Sequence, residues 1–341
     1  MTRGLHYCLL SLLVLLAACG EQQPGAVELL VYSSRKEHLI KPLFDRFTEQ
    51  TGIQVGYVTD KAGPLLARLQ AEGENSPADI LMTVDAGNLW QAAQVDVLTS
   101  IESAILTRNV PPHLRDPNNA WFSLTIRART LVYSTDAVNP DALSTYEALA
   151  SEDWRGRLCL RTSKKVYNQS LVATMIAALG ESQTEAVVAG WIDNLALAPF
   201  SNDTKVMEAI TVGQCDVGIV NSYYYGRLIK EKPELSLALF WPNQQGGGAA
   251  GRGVHINVSG AGITRASKHK AEAQQLLEWL SGVEAQQMLM ELNQEYPVNE
   301  AIELSVELRA WGEFKTDAIN VSEAGRLQTA AVKLMDRVGY R

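Results

Sequence analysis

Basic charge is in short supply in this chain: 30 Lys and Arg stand against 38 Asp and Glu among 341 residues, a net charge of −8. So acidic a chain lacks the basic face that nucleic-acid binding requires, which excludes DNA and RNA as partners. Catalytic signatures are also missing. There is no Gly-x-Ser-x-Gly elbow, no His-Glu-x-x-His and no paired-cysteine zinc spacing, and His38, His113, His255 and His269 are widely dispersed. Ser33 and Ser34 lie near His38, but a triad is defined by geometry, not by neighbourhood in one loop. Asp79 and Asp85 read as strand-end residues rather than an acid/base pair. The glycine-rich stretch 246–251 lacks the Lys-Ser/Thr of a phosphate-binding loop. No internal repeat or long low-complexity tract is present. These absences argue against an enzyme.

The apolar stretch from Leu9 to Ala18 is too short and wrongly flanked for a membrane span. It follows Arg3 and ends in Leu16-Ala17-Ala18-Cys19-Gly20, the pattern of a secretory signal peptide. The cysteine at the cleavage point resembles a bacterial lipobox, which would leave Cys19 as the lipidated first residue. The alternative is a soluble secreted protein with an incidental cysteine. Residues 1–18 are thus expected to be removed, and 19–25 to form a short tether. The expected location is the periplasm or cell envelope, with Cys19 anchored at a membrane surface. Loss of Arg3, the only charge in residues 1–18, takes the net charge from −8 to −9.

Cysteine is scarce too, at four residues. With Cys8 removed and Cys19 lipidated, Cys159 and Cys215 remain, each on or beside an expected strand. An oxidising compartment permits a bridge between them; two buried thiols are the other reading.

What is abundant is alternation. Strands are expected at 27–32, 53–58, 78–83, 131–134, 158–161, 217–220 and 254–258, and around Ile263. Helical patterns intervene at 39–50, 65–71, 88–94, 171–179, 185–194 and 271–280. The first helix carries Leu39, Ile40, Leu43, Phe44 and Phe47 on one face. Such alternation implies an α/β fold with a parallel sheet covered on both faces. The most informative segment is Tyr223-Tyr224-Tyr225, just after the apolar run Val217–Asn221. Phenols at a strand end line a crevice in α/β folds, and a deprotonated phenol is a hard oxygen donor suited to a hard cation. Packing between helices, or stacking on a sugar or amine, would use the same residues.

Eight segments then occur in one order: Val31–Arg35, Ser76–Leu81, Leu143–Glu147, Tyr167–Ser170, Asn221–Tyr224, Phe240–Gln244, Asn257–Gly262 and Glu295–Asn299. Together they resemble the periplasmic iron-binding proteins of ferric ABC importers, in the branch that binds iron mainly through tyrosines. The resemblance covers about Val27 to Phe314. It implies a two-lobe Venus-flytrap fold, class II, with two hinge crossings. Lobe one is expected at 26–125 plus 250–296, and lobe two at 126–249 plus 297–341. It further implies Fe3+ as the transported ligand, held by Tyr167, Tyr223 and Tyr224, with Tyr225 packing. An ABC permease would be the partner and the chain a monomer.

The first loop departs from the family. Where relatives place a histidine or His-Tyr, this chain has Lys36 and Glu37, with His38 one residue further on. Glu37 is either an additional oxygen ligand or a helix-start carboxylate. Remaining coordination sites are expected to take a synergistic anion such as carbonate, contacted by Arg127 and Arg35, whose forked guanidinium suits a planar oxyanion. Surface or inter-lobe salt bridges are the alternative for both. Arg129 is expected on the opposite strand face and outside the site. The rival ligand class on the same scaffold is an organic solute, such as a polyamine or a small oxyanion.

Overall fold

A computed structural model describes residues 28–341; the signal peptide, Cys19 and the tether lie outside the described residues. Nine strands form: β1 (Glu28–Ser33), β2 (Gln54–Thr59), β3 (Ile80–Thr83), β4 (Phe122–Ser134), β5 (Leu158–Cys159), β6 (Val217–Asn221), β7 (Leu237–Phe240), β8 (Ile256–Ile263) and β9 (Tyr296–Pro297). They are joined in the order β2-β1-β3-β8-β4-β6-β5, with β7 and β9 also on β4.

The expected all-parallel sheet is corrected to a mixed one. β1 pairs parallel with β2 and β3, and β5 with β6. β8 runs antiparallel to β3 and β4, and β6, β7 and β9 run antiparallel to β4. The cause is β4, thirteen residues long where only its last four were expected to be extended. Its residues are buried on both faces, so it carries no alternation from which its length can be read.

β4 changes partners midway. Phe122 to Ala128 pair with β8, whereas Arg129 to Tyr133 pair with β6. Each half belongs to its own hydrophobic core. One core gathers Leu29, Val31, Phe44, Phe47, Leu89, Trp121 and Val258, and the other Leu131, Tyr146, Trp154, Leu171, Trp191 and Ile219. These are the two lobes, and β4 and the return between β7 and β8 are the crossings. Tyr146 ties the crossings together: its hydroxyl donates to the Arg129 carbonyl and accepts the His255 amide at 3.1 Å. The C-terminal segment, expected wholly in lobe two, is divided. Val298 and Val321 pack in the first core, and Ala331, Leu334 and Met335 in the second.

Cys159 and Cys215 are bonded, 56 residues apart in sequence. The bridge fastens the short β5 to the turn before β6, the strand that leads into the tyrosine-bearing helix. A loop of that length limits the unfolded chain by about 4 kcal/mol in the chain-entropy account. Denaturant unfolding of the Cys159→Ser/Cys215→Ser variant is expected to show a loss of that order. A change below about 1 kcal/mol would mean that the bridge is idle in stability.

Candidate metal centre

β6 is buried along its whole length, and its chain turns directly into the helix Ser222–Glu231. Gly218 permits this packing: a Cβ there would sit 2.5 Å from Val206 Cγ1 and 2.9 Å from the Cys159 carbonyl. Tyr223 and Tyr224 therefore occupy the first turn of a helix. Tyr167 does the same at the start of Val166–Leu179. All three phenols are thus borne by residues in the first turn of a helix.

They converge. The Tyr223 hydroxyl lies 3.4 Å from that of Tyr167, and the rings of Tyr223 and Tyr224 are 4.4 Å apart. Together with Ser34, Arg35, Lys36, Leu39, Val84, Arg127, Arg227 and Glu295 they line a cavity of about 190 Å³ between the lobes. Burial pushes the Tyr223 phenol well above its ordinary value, Tyr167 and Tyr224 add to this, and Arg127 opposes it. That phenol is thus protonated at neutral pH unless a metal ion displaces its proton.

Opposite the phenols is a buried cationic floor. Arg35 donates to Glu295 at 3.1 and 3.2 Å and to the Thr125 hydroxyl at 3.4 Å. Arg127 donates to the carbonyls of Val84 and Val258, and its guanidinium lies 5.7 Å from the Tyr167 ring centre. Burial works against the Arg127 charge, but Glu295, Tyr167, Tyr223 and Asp85 hold it on. Burial likewise works to raise the Glu295 carboxyl. Arg35, Arg127 and the Thr125 hydroxyl outweigh it and keep the group below the usual carboxylate range. The Nε atoms of both arginines are buried without a protein partner among the described residues. Unpaired buried N–H groups are costly, and here they belong to two arginines that line the cavity.

Glu37 is the sequence-expected ligand that the structure does not bring in. It opens a short 3-10 turn, is exposed, and accepts from the Tyr57 hydroxyl of β2 at 2.8 Å. It is absent from the cavity lining. Tyr225 points elsewhere, donating to the Leu237 carbonyl and packing edge-on against Trp311. Arg129 lies outside the cavity, but not for the expected reason, since residues two apart on a strand share a face. It sits past the change of partners in β4 and is held in lobe two by Asp203, Asn168 and Asn221.

Sequence reasoning missed the roles of Glu295, Arg227 and Arg161. Glu295 stands in the Glu-Tyr-Pro-Val-Asn segment, though nothing local distinguishes it from any surface carboxylate. Arg227 lies one turn after Tyr223, with its guanidinium 5.1 Å from that ring, and this spacing was a readable signal. Arg161 follows β5, and its guanidinium lies 5.1 Å from the Tyr167 ring.

Comparison with known proteins bears on this arrangement. A family model described as bacterial extracellular solute-binding protein matches residues 42–316. Iron uptake protein A1 of Synechocystis sp. is 38% identical over 341 residues, covering 96% of this chain and 93% of that protein. Iron uptake protein A2 of the same organism is 42% identical, covering 91% and 89%. The solved structure of Trichodesmium (IdiA) (FutA) in complex with iron and citrate ligands has a TM-score of 0.87 and 41% identity, over 92% of this chain and all of that one. Fold, cleft and sequence agree along nearly the whole described chain, which belongs to the family of bacterial extracellular solute-binding proteins.

Proposed function

We propose that this protein captures ferric iron in the inter-lobe cavity and delivers it to an ABC permease. Tyr167, Tyr223 and Tyr224 serve as phenolate ligands, and an anion such as carbonate completes the shell against Arg127, with Arg35 behind it. The chain works as a binding protein, not an enzyme, held at a membrane surface through Cys19 and acting as a monomer. The observation that carries this reading is the meeting of three first-turn phenols in one cavity with buried, incompletely paired guanidinium groups. Three phenolates offset a trivalent charge, and hard oxygen suits a hard ion. The names of the relatives, iron uptake proteins and an iron–citrate complex, support the same cargo.

The lining disfavours a polyamine. Its one carboxylate, Glu295, is already engaged by Arg35, while Lys36, Arg127 and Arg227 add positive charge. Titration with ferric citrate tests the iron reading. A phenolate-to-iron charge-transfer band saturating near one equivalent is expected, and it should vanish in Tyr223→Phe/Tyr224→Phe. A colourless protein would transfer the assignment to a small oxyanion bound at the arginines alone.

A further inference from the structure

Beneath the tyrosines lies a charge cluster that the iron reading does not use. Asp203 is fully buried and accepts from Arg129 at 3.2 Å, from Arg161 at 3.3 Å and from the Asn221 amide at 3.0 Å. Arg129 and Arg161 are themselves 1% and 5% exposed. Among the described residues neither arginine has a second carboxylate partner. Two buried guanidinium groups thus share one carboxylate, leaving one positive charge over in a place where charge is costly unless paired.

The surplus sits on the side facing the site. Arg129 is saturated by Asn168, Asn221 and the Ile219 carbonyl as well as by Asp203. Arg161 has one long hydrogen bond to Asp203 and the Tyr224 hydroxyl beside it, and its Nε is buried without a partner among the described residues. Its guanidinium lies over the Tyr167 ring at 5.1 Å. A ring face is a modest substitute for an anion.

We infer that Arg161 is a positioning residue for the tyrosine cluster, a built-in counter-charge that is unbalanced in the empty protein and balanced when phenolates gather around the ion. This rests on the proposed tyrosine ligation and deepens it. Asp203 sets the geometry: it fixes Arg161 and also the Asn221 amide, immediately before the helix that bears Tyr223 and Tyr224. No bond is made or broken by Arg161; it supplies charge and orientation only.

Ferric titration followed by visible absorption tests the inference on the full-length protein. Arg161→Gln removes the charge near the phenolates, so iron binding is expected to weaken roughly ten-fold or more. The charge-transfer band should also move to longer wavelength, because the donor orbitals of the phenolates are no longer held down. Arg161→Lys keeps the charge and should restore the band to the wild-type position. Asp203→Asn enlarges the positive surplus and should move the band the opposite way, a sign reversal that lost packing does not produce. If Arg161→Gln fails to fold, the Lys and Asp203→Asn variants carry the same test. A wild-type band and affinity in Arg161→Gln, or equal shifts in the Gln and Lys variants, overturns the counter-charge while leaving tyrosine ligation standing. Absence of any band in the wild type overturns both.

Discussion

Between pH 7 and pH 6, apparent ferric affinity is expected to fall about a thousand-fold, the largest response this site should give. Each tyrosine must lose a proton to bind, and each proton displaced contributes about a factor of ten per pH unit while the free phenol stays protonated. Tyr223 satisfies that condition throughout the neutral and acid range, since burial and its two neighbours raise it well above its ordinary value. The sign follows directly: acid favours the empty, protonated form, so iron is released as pH falls and held as it rises. Competition against a chelator of known affinity at several pH values measures the slope. A value near three protons per ion fits Tyr167, Tyr223 and Tyr224 acting together; a slope near one would leave a single phenolate and sink the three-tyrosine shell.

Glu295→Gln should produce the largest loss of stability, about 3–5 kcal/mol, the usual cost of removing one partner from a buried ion pair. Arg35 is 4% exposed and Arg127 3% exposed, and Glu295 is the carboxylate facing both. Without it two guanidinium groups would be buried beside an empty cavity. Added carbonate or phosphate should therefore stabilise the variant against heat more than it stabilises the wild type. The pH dependence carries its own sign. Burial tends to raise the Glu295 carboxyl, but Arg35, Arg127 and Thr125 depress it overall. Its contribution is complete above the unfolded carboxylate value of about 4 and disappears as pH drops through the lower folded value. Thermal melts of the two proteins at neutral pH, with and without anion, test this; equal melting temperatures would mean that the pair is dispensable.

How much of this was legible beforehand depended on whether the signal was local. The tyrosine run after a buried strand and the Tyr-Asn-Gln-Ser segment are local, and the structure brings Tyr167, Tyr223 and Tyr224 to one cavity. Arg127 and Arg35 also line it. Of the two readings of Glu37, the structure supports the helix-start carboxylate, since the residue opens a 3-10 turn and its side chain turns onto Tyr57. Glu295 escaped notice because its meaning comes from residues 260 positions away in the chain. The same holds for Arg161, which matters only once β5 is laid beside β6. The length of β4 was hidden for a different reason. A strand buried on both faces loses the alternation by which strands are recognised.

The unbroken run of β4 through both lobes also has a mechanical meaning. Arg127 sits in that strand one residue before its partners change and two before the carbonyl fastened by Tyr146. A residue that lines the cavity is therefore part of the strand that joins the lobes. Any rotation of one lobe against the other would twist the peptide units that aim this guanidinium. On the proposed reading, occupancy and posture would meet in one of the two crossings, and a permease that senses the angle between the lobes would be sensing the seat of the ion.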